Sequence, residues 1–325
     1  MHARTRYFFV GSALIVVVGL CAGLVAYYSG NLPLRASTIG PAELSYLPGD
    51  TSGVAFANVR QIMGSEFRRK LSAVMPAGDG KHELLAETGI DMEQDIDSVV
   101  AGIHSGQSPQ VPVVLLRGRF DEARIQSVAT SRGASAEQHQ GRQLLVFPHG
   151  GQTNPALAFL EPGLIALGDA AALRRAIDTS VASTSVVDQP ELMKLVADVN
   201  GDGNAWVIGR LDALSEHQAV PDQVARMLPG VQWVSASFEV GQSVMGRVRA
   251  ETADAAAADQ LRSLVNGAVA AGRMVTANDA RLAAVLSSVQ TGGSGATVEV
   301  VFTVPPEMLD LIHAPGVRVP APDPR

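Results

Sequence analysis

The sequence predicts an α+β protein: an N-terminal transmembrane helix followed by two similar halves, each a mainly antiparallel sheet with helices on one face. Three observations carry this. An uncharged apolar run opens the chain, strand patterns come mostly as adjacent pairs joined by hairpin-type turns, and landmarks of the first half recur in the second. The composition agrees: 325 residues, 46% hydrophobic and 18% charged, are apolar enough to build a packed core. With 25 Lys+Arg against 32 Asp+Glu, a net charge of −7, there is no basic footprint for nucleic acid.

The first element is the run Phe8 to Tyr28, which contains no charged residue and is long enough for a ~30 Å hydrocarbon layer. Arg4 and Arg6 precede it and the next cation is Arg35, so the charge asymmetry places the N-terminus in the cytoplasm and the rest of the chain outside. Tyr7, Tyr27 and Tyr28 sit at its ends, where amphipathic rings prefer the headgroup zone. The rival reading is a cleaved signal peptide. The run is longer than the usual ~7–15 residue apolar region, and Leu24-Val25-Ala26 has a large residue where a small one is wanted. Leu20 before Cys21 argues against a lipoprotein site, and Cys21, alone in the chain, reads as inert. The expected organisation is a stub over 1–6, a membrane helix over 7–29, a tether over 30–43, α+β halves over 44–180 and 181–313, and a Pro-rich tail over 314–325. The expected location is the inner (cytoplasmic) membrane, single-pass, with the bulk of the chain periplasmic or extracellular. Without Arg4 and Arg6 the remainder has 23 cations against 32 anions, about −9, which disfavours anionic headgroups.

Strand patterns follow at 53–59, 98–103, 111–120, 143–147, 156–160, 164–167, 204–211, 231–240, 243–250 and 296–304. Glu161-Pro162-Gly163 and Val240-Gly241-Gln242-Ser243 are hairpin-type turns. One helix starts at Asp169 with Leu173, Ala176 and Ile177 as its stripe. A second follows a capping-box-like Asp188 and Glu191 and buries Leu192, Leu195 and Val196. A third opens at Thr252, with Leu261, Leu264, Val265, Ala268 and Val269 on one inward face.

The duplication rests on Gly49-Asp50 before Val54–Ala57 matching Gly201-Asp202 before Trp206–Gly209, an offset of 152 residues. Val59 and Ile62 continue the match with Leu211 and Leu214. Arg117 to Asp121 then matches Arg247 to Glu251 at an offset of 130, so the first copy carries 22 more residues, assigned to 80–97.

Gln140 to Leu145, Ala156 to Phe159 and Leu164 to Asp178, with its G-D-x-x-A-L-R-x-A-I-D helix, resemble a pattern in bacterial single-pass membrane-anchored envelope proteins of unknown function. Leu47-Pro48-Gly49-Asp50 before a strand is similar too, so the resemblance covers about residues 44–180. It implies no activity and no site residues.

Asp198-Val199-Asn200-Gly201-Asp202-Gly203-Asn204 matches the first half of a calcium loop, with oxygens at positions 1, 3 and 5 and glycine at 6. Position 12 is Gly209, within a strand pattern, so Asp198, Asn200 and Asp202 are expected to form a turn and no metal is assigned. Asp91, Glu93, Asp95 and Asp97 read as a solvated helix start. The histidines show no metal spacing; His82, His104, His139, His149 and His217 read as loop or helix-edge surface residues. Gly78-Asp79-Gly80-Lys81 lacks the first glycine and the Ser/Thr of a phosphate loop. Arg117, Arg119, Arg247 and Arg249 pose two alternatives. Sheets lying side by side bring four guanidiniums to one carboxylate- or phosphate-rich ligand, whereas an exposed face pairs them with acids such as Glu251. Trp206 and Trp233, each inside a strand pattern, read as core.

No catalytic residue, cofactor site or metal site is assigned. The expected function is a non-enzymatic binding module or accessory subunit of an envelope complex, contacting the bilayer through residues 7–29 and a protein partner beyond it. The alternative is an envelope hydrolase whose Ser, His and Asp come together only in the fold. Gly19-x-x-x-Gly23 offers a close-packing pair within the membrane run.

Overall fold

The computed structural model describes residues 40–74, 90–91, 94–104, 111–148, 154–182, 184–216, 228, 230–276 and 280–311. The apolar run Phe8–Tyr28, Cys21, the stretch 78–81, His82, His149, His217 and the Pro-rich tail lie outside the described residues. Among the described residues no helix is long and apolar enough to cross a membrane.

Twelve strands form one sheet: β1 (Thr51–Asn58), β2 (Ile96–His104), β3 (Val113–Gly118), β4 (Ser135–His139), β5 (Arg142–Val146), β6 (Pro155–Glu161), β7 (Leu164–Asp169), β8 (Ala205–Arg210), β9 (Val231–Val240), β10 (Val244–Thr252), β11 (Gln290–Gly292) and β12 (Thr297–Val304). Their order is β11-β12-β10-β9-β8-β1-β2-β3-β7-β6-β5-β4. All neighbours pair antiparallel, as the hairpin turns predict. Instead of one sheet per half, β1 and β8 fuse both halves into a single sheet, with Gly53 opposite Gly209 and Ala57 opposite Ala205.

Side chains alternate across this sheet, and so do its cores. Leu115, Leu144, Ala158, Leu164 and Ala166 point to one face, here the front, while Leu116, Leu145, Leu157, Phe159 and Ile165 point to the back. The front core is closed by the 3-10 turn Ala42–Tyr46 and by helices α4 (Ala170–Ala182) and α5 (Pro190–Val199). The back carries α1 (Val59–Gly64), α2 (Glu66–Val74), α3 (Glu122–Ser131), α6 (Leu211–Glu216), α7 (Ala255–Val275) and α8 (Ala280–Ser288). Helices on one face therefore describes only the outer strands of the second half. The continuous apolar runs of β6 and β7 demand cover on both sides, because each residue pair exposes one side chain to each face.

The α4 stripe Leu173, Ala176 and Ile177 is buried as its period predicts. Asp169 supports the start: its Oδ1 accepts the Ala171 N–H at 2.9 Å and its Oδ2 the Asn154 N–H at 2.7 Å. Asp188 closes the short turn 186–188 by accepting the Ser185 N–H at 3.1 Å, so α5 starts after it, on Pro190. Asp254 caps α7, accepting the Ala257 N–H at 2.8 Å. The inward face of α7 differs from expectation: Ala258 and Leu261 are buried and Val265 and Val269 half-buried, but Leu264 and Ala268 are exposed.

Candidate functional site

The polar constellations fall into three places. The first is the corner where β1 begins and β2 ends. His104, expected in a loop or helix edge, is the last residue of β2 and is buried opposite Thr51. Its Nδ1 lies 3.4 Å from Thr51 Oγ1 and 3.7 Å from Asp50 Oδ1. Asp50 is shared with Arg175 of α4, and Gln189 donates to the carbonyls of Gly49 and Thr51. The Gly49 N–H donates to the Thr184 carbonyl at 3.1 Å, and Pro48 bridges to Ser185. Leu47-Pro48-Gly49-Asp50 is thereby bolted to the α4–α5 connection.

A histidine with an acid and a hydroxyl is what the hydrolase alternative requires. A hydrolytic triad, however, places the acid on one ring nitrogen and the nucleophile on the other, so that the base takes the hydroxyl proton. Here both oxygens approach Nδ1, the Thr51 side chain is buried in strand pairing, and Arg175 neutralises Asp50. Through Nδ1 the corner ties β1, β2 and α4 together, an arrangement unlike that of a triad. His139, on edge strand β4, is tied to Asp178 of α4 at 2.7 Å, and Glu137 beside it to Arg174 at 2.6 Å.

The second place surrounds Arg117 on the front of β3. Its Nε donates to the buried Glu43 at 2.7 Å, and its Nη1 lies 3.6 Å from Glu161. Tyr46 donates to Glu161 at 2.6 Å, and burial, then the Glu161 bond, pushes its phenol up to about 12. Arg119 donates to the Gln94 carbonyl. Asp97, expected on a solvated helix start, sits in β2 and pairs with Arg60 of α1. Burial raises the Asp97 carboxyl against the pull of Arg60, Arg119 and Arg117. Asp91 and Asp95 form a turn, Asp95 Oδ2 accepting the Asp91 N–H at 2.7 Å.

The third place is the front of β10 and β12. Arg247 reaches Asp202 at 2.6 Å and approaches Glu299 at 3.8 Å; Arg249 bonds Glu299 at 2.6 Å and donates to the Asp198 carbonyl at 3.5 Å. The Glu299 bond, its largest cause, raises the Arg249 guanidinium further. Arg117 and Arg247 share the front face but stand five strands apart, about 24 Å at ~4.8 Å per strand. The four arginines therefore cannot converge on one ligand, and each is engaged at its own place.

The calcium-like segment is part of this third place. Asn200 ends α5, its N–H bonded to the Val196 carbonyl at 2.8 Å, and Asp202 is committed to Arg247. A cation so close opposes a second one. Gly203 is required for another reason: a Cβ there would lie 2.2 Å from the Phe238 carbonyl oxygen. Among the described residues no group of three or more His, Cys, Asp or Glu is gathered in a metal-holding arrangement.

What distinguishes the third place is its setting. Met245, Arg247 and Arg249 of β10 and Glu299, Val301 and Thr303 of β12 alternate with back-facing Val248, Ala250, Val298, Phe302 and Val304. Helices α7 and α8 close the back of these strands, while among the described residues α4 and α5 close the front only as far as β9. Met245 is half exposed. The result is an open, mixed-charge sheet face with an apolar rim. The arginines are visible in the sequence but the face is not, because which strands the helices cover is a tertiary property.

No family model matches the chain, and no curated protein matches it. Solved structures of TP0453 are similar. Crystal form III gives a TM-score of 0.53 at 9% identity, covering 85% of this chain and 99% of that one. Crystal form I gives 0.51 at 7% identity, covering 84% and 97%. At such identities the likeness concerns the fold alone: a mixed α+β architecture with a large antiparallel sheet and helices.

Proposed function

We propose that this chain is a membrane-anchored, extracytoplasmic binding module or accessory subunit of an envelope complex, without enzymatic activity of its own. The observation that carries the reading is the open front of β10 and β12, where Met245 and Val301 flank the Arg247–Asp202 and Arg249–Glu299 pairs. A face of paired charges with apolar neighbours suits a protein partner better than a small anion, whose carboxylate or phosphate would have to displace Glu299 and Asp202. Anchoring is supported by the uncharged run Phe8–Tyr28 behind Arg4 and Arg6. A common origin of the halves is supported by the seam itself: Ala55 pairs with Val207, the residue 152 positions later, which is the offset of the sequence match. The strand order also runs outward alike, β2-β3-β7 on one side and β9-β10-β12 on the other.

Two measurements test the reading. A reporter active only in the cytoplasm, fused after Arg325, should be inactive, and activity would reverse the topology. In mild detergent, the full chain should recover a partner that Met245→Glu with Val301→Glu loses and His104→Ala retains. Equal recovery by all three would remove the open face from the proposal.

A further inference from the structure

Helix α7 carries more apolar surface than the sheet covers. At 100° per residue, Ala258, Leu261, Val265, Val269 and Gly272 share the inward face, with Gly272 against Leu286 of α8. Leu264, Ala268, Ala271 and Val275 form a second stripe, an arc of about 60° lying a quarter-turn from the first. This stripe is open: Leu264 is 41% exposed, Val275 44%, and the neighbouring Met274 82%. Ala268 and Ala271 between them are exposed too. Single exposed apolar residues are ordinary, but a continuous line of them over three turns is not.

The order of the stripe says what fits it. The spacings run four, three, four, the pattern by which two helices interlock. It also reads large, small, small, large in both directions. Two antiparallel copies would set Leu264 of each against Val275 of the other, and Ala268 against Ala271, about one two-fold axis. The alanines permit close approach, and the opposed helix dipoles attract. Charges stay clear of the seam. Asp259, Arg262 and Arg273 occupy the opposite arc, where Arg262 is held by Asp259 and the Gly295 carbonyl, and Arg273 by the Leu286 carbonyl. We propose that this stripe is a self-association surface on which two copies of the chain pack α7 against α7, antiparallel. One helix pair is smaller than the ~800 Å² per partner of a standard interface, so the dimer is weak and concentration-dependent. The surface is distinct from the open sheet front, and its failure would leave the function proposed above untouched.

The test uses the full chain in membranes with Cys21→Ser as background. Mixed Ala268→Cys and Ala271→Cys copies should form a disulfide-linked dimer under mild oxidation, and Asn266→Cys, on the polar arc, at least tenfold less. Adding Leu264→Glu to both cysteine variants should cut cross-linking at least tenfold, about 1.4 kcal/mol of association, while leaving the thermal midpoint unchanged. Gly19→Ile with Gly23→Ile should leave the cross-link in place. Equal cross-linking at 266 and 268, none at 268, indifference to Leu264→Glu, or loss with the glycine variants alone would each overturn the proposal.

Discussion

Asn204 is the residue on which the junction of β8 and β9 turns, and its removal is the sharpest test of how that junction is held. The side chain is buried. Its Oδ1 accepts the Val240 N–H at 3.0 Å, and its Nδ2 donates to the Val240 carbonyl at 3.0 Å and to Glu239 at 3.4 Å. Its backbone carries the same junction further, accepting from the Asn58 N–H at 2.7 Å and donating to the Phe238 carbonyl at 2.9 Å. In Asn204→Ala the two 3.0 Å bonds vanish, at about 1 kcal/mol each, and the groups left on Val240 are rescued by water because that residue is half exposed. The expected loss is about 2 kcal/mol, which for the roughly 230 described residues lowers the thermal midpoint by about 4 °C. Asn204→Asp sharpens the test. It keeps the acceptor but turns a second oxygen toward the Val240 carbonyl and Glu239, so at neutral pH it should cost at least as much. That carboxyl is raised in the folded state, so the loss should shrink as pH falls and the group protonates. Both tryptophans lie on β8 and β9, so intrinsic fluorescence during heating reports this region directly. An alanine variant within 1 °C of the parent chain, or an aspartate variant as stable as the parent at pH 7, would show that the Asn204 side chain does not hold this junction.

Three further outcomes follow from neighbouring residues. The Tyr46 phenol is neutral-stabilised: its folded value of about 12 lies above the ordinary 10.0. Its contribution, about 2–3 kcal/mol, is therefore complete below pH 10 and is lost as pH rises through about 12; urea melts should show this slope, and Tyr46→Phe should flatten it. The Ser235 hydroxyl is buried without a hydrogen-bond partner, so Ser235→Ala should leave the urea midpoint unchanged or raise it, by up to about 1 kcal/mol. Calcium should not shift the melting temperature, because Arg247 already neutralises Asp202 at 2.6 Å; a rise on adding calcium, lost in Asp198→Ala, would contradict that pairing.

The sequence made the long strands legible because their residues alternate or run apolar. The pattern at 231–240 matches β9 end to end, and the turn at Gly163 falls where a positive φ favours glycine. Edge strand β4, Ser-Ala-Glu-Gln-His, was not legible, since a strand paired on one side and wet on both faces needs no apolar period. His104 falls outside the strand pattern because the apolar run ends at Ile103, one residue before the pairing does. The partner of Arg117 lies 74 residues away and that of Arg175 lies 125 away, so no local pattern announces either. Periodicity assigned Leu264 and Ala268 to the inward face of α7, but a period fixes only which residues share a side; how wide an arc the sheet covers is decided by packing.

The fusion of the halves through β1 and β8 has a consequence for the growing chain. β1 is central in the finished sheet, yet until β8 exists it is an edge. Its sequence, TSGVAFAN, has no charge and no proline, the two devices that usually keep an edge from pairing with the wrong chain. From Asn58 to Arg210 there are 152 residues to make. At ~5–20 residues per second, the strand waits roughly 8–30 s for its proper neighbour. The seam that unites the sheet is thus also the slowest to close, and the time before it closes is when this protein is most exposed to aggregation.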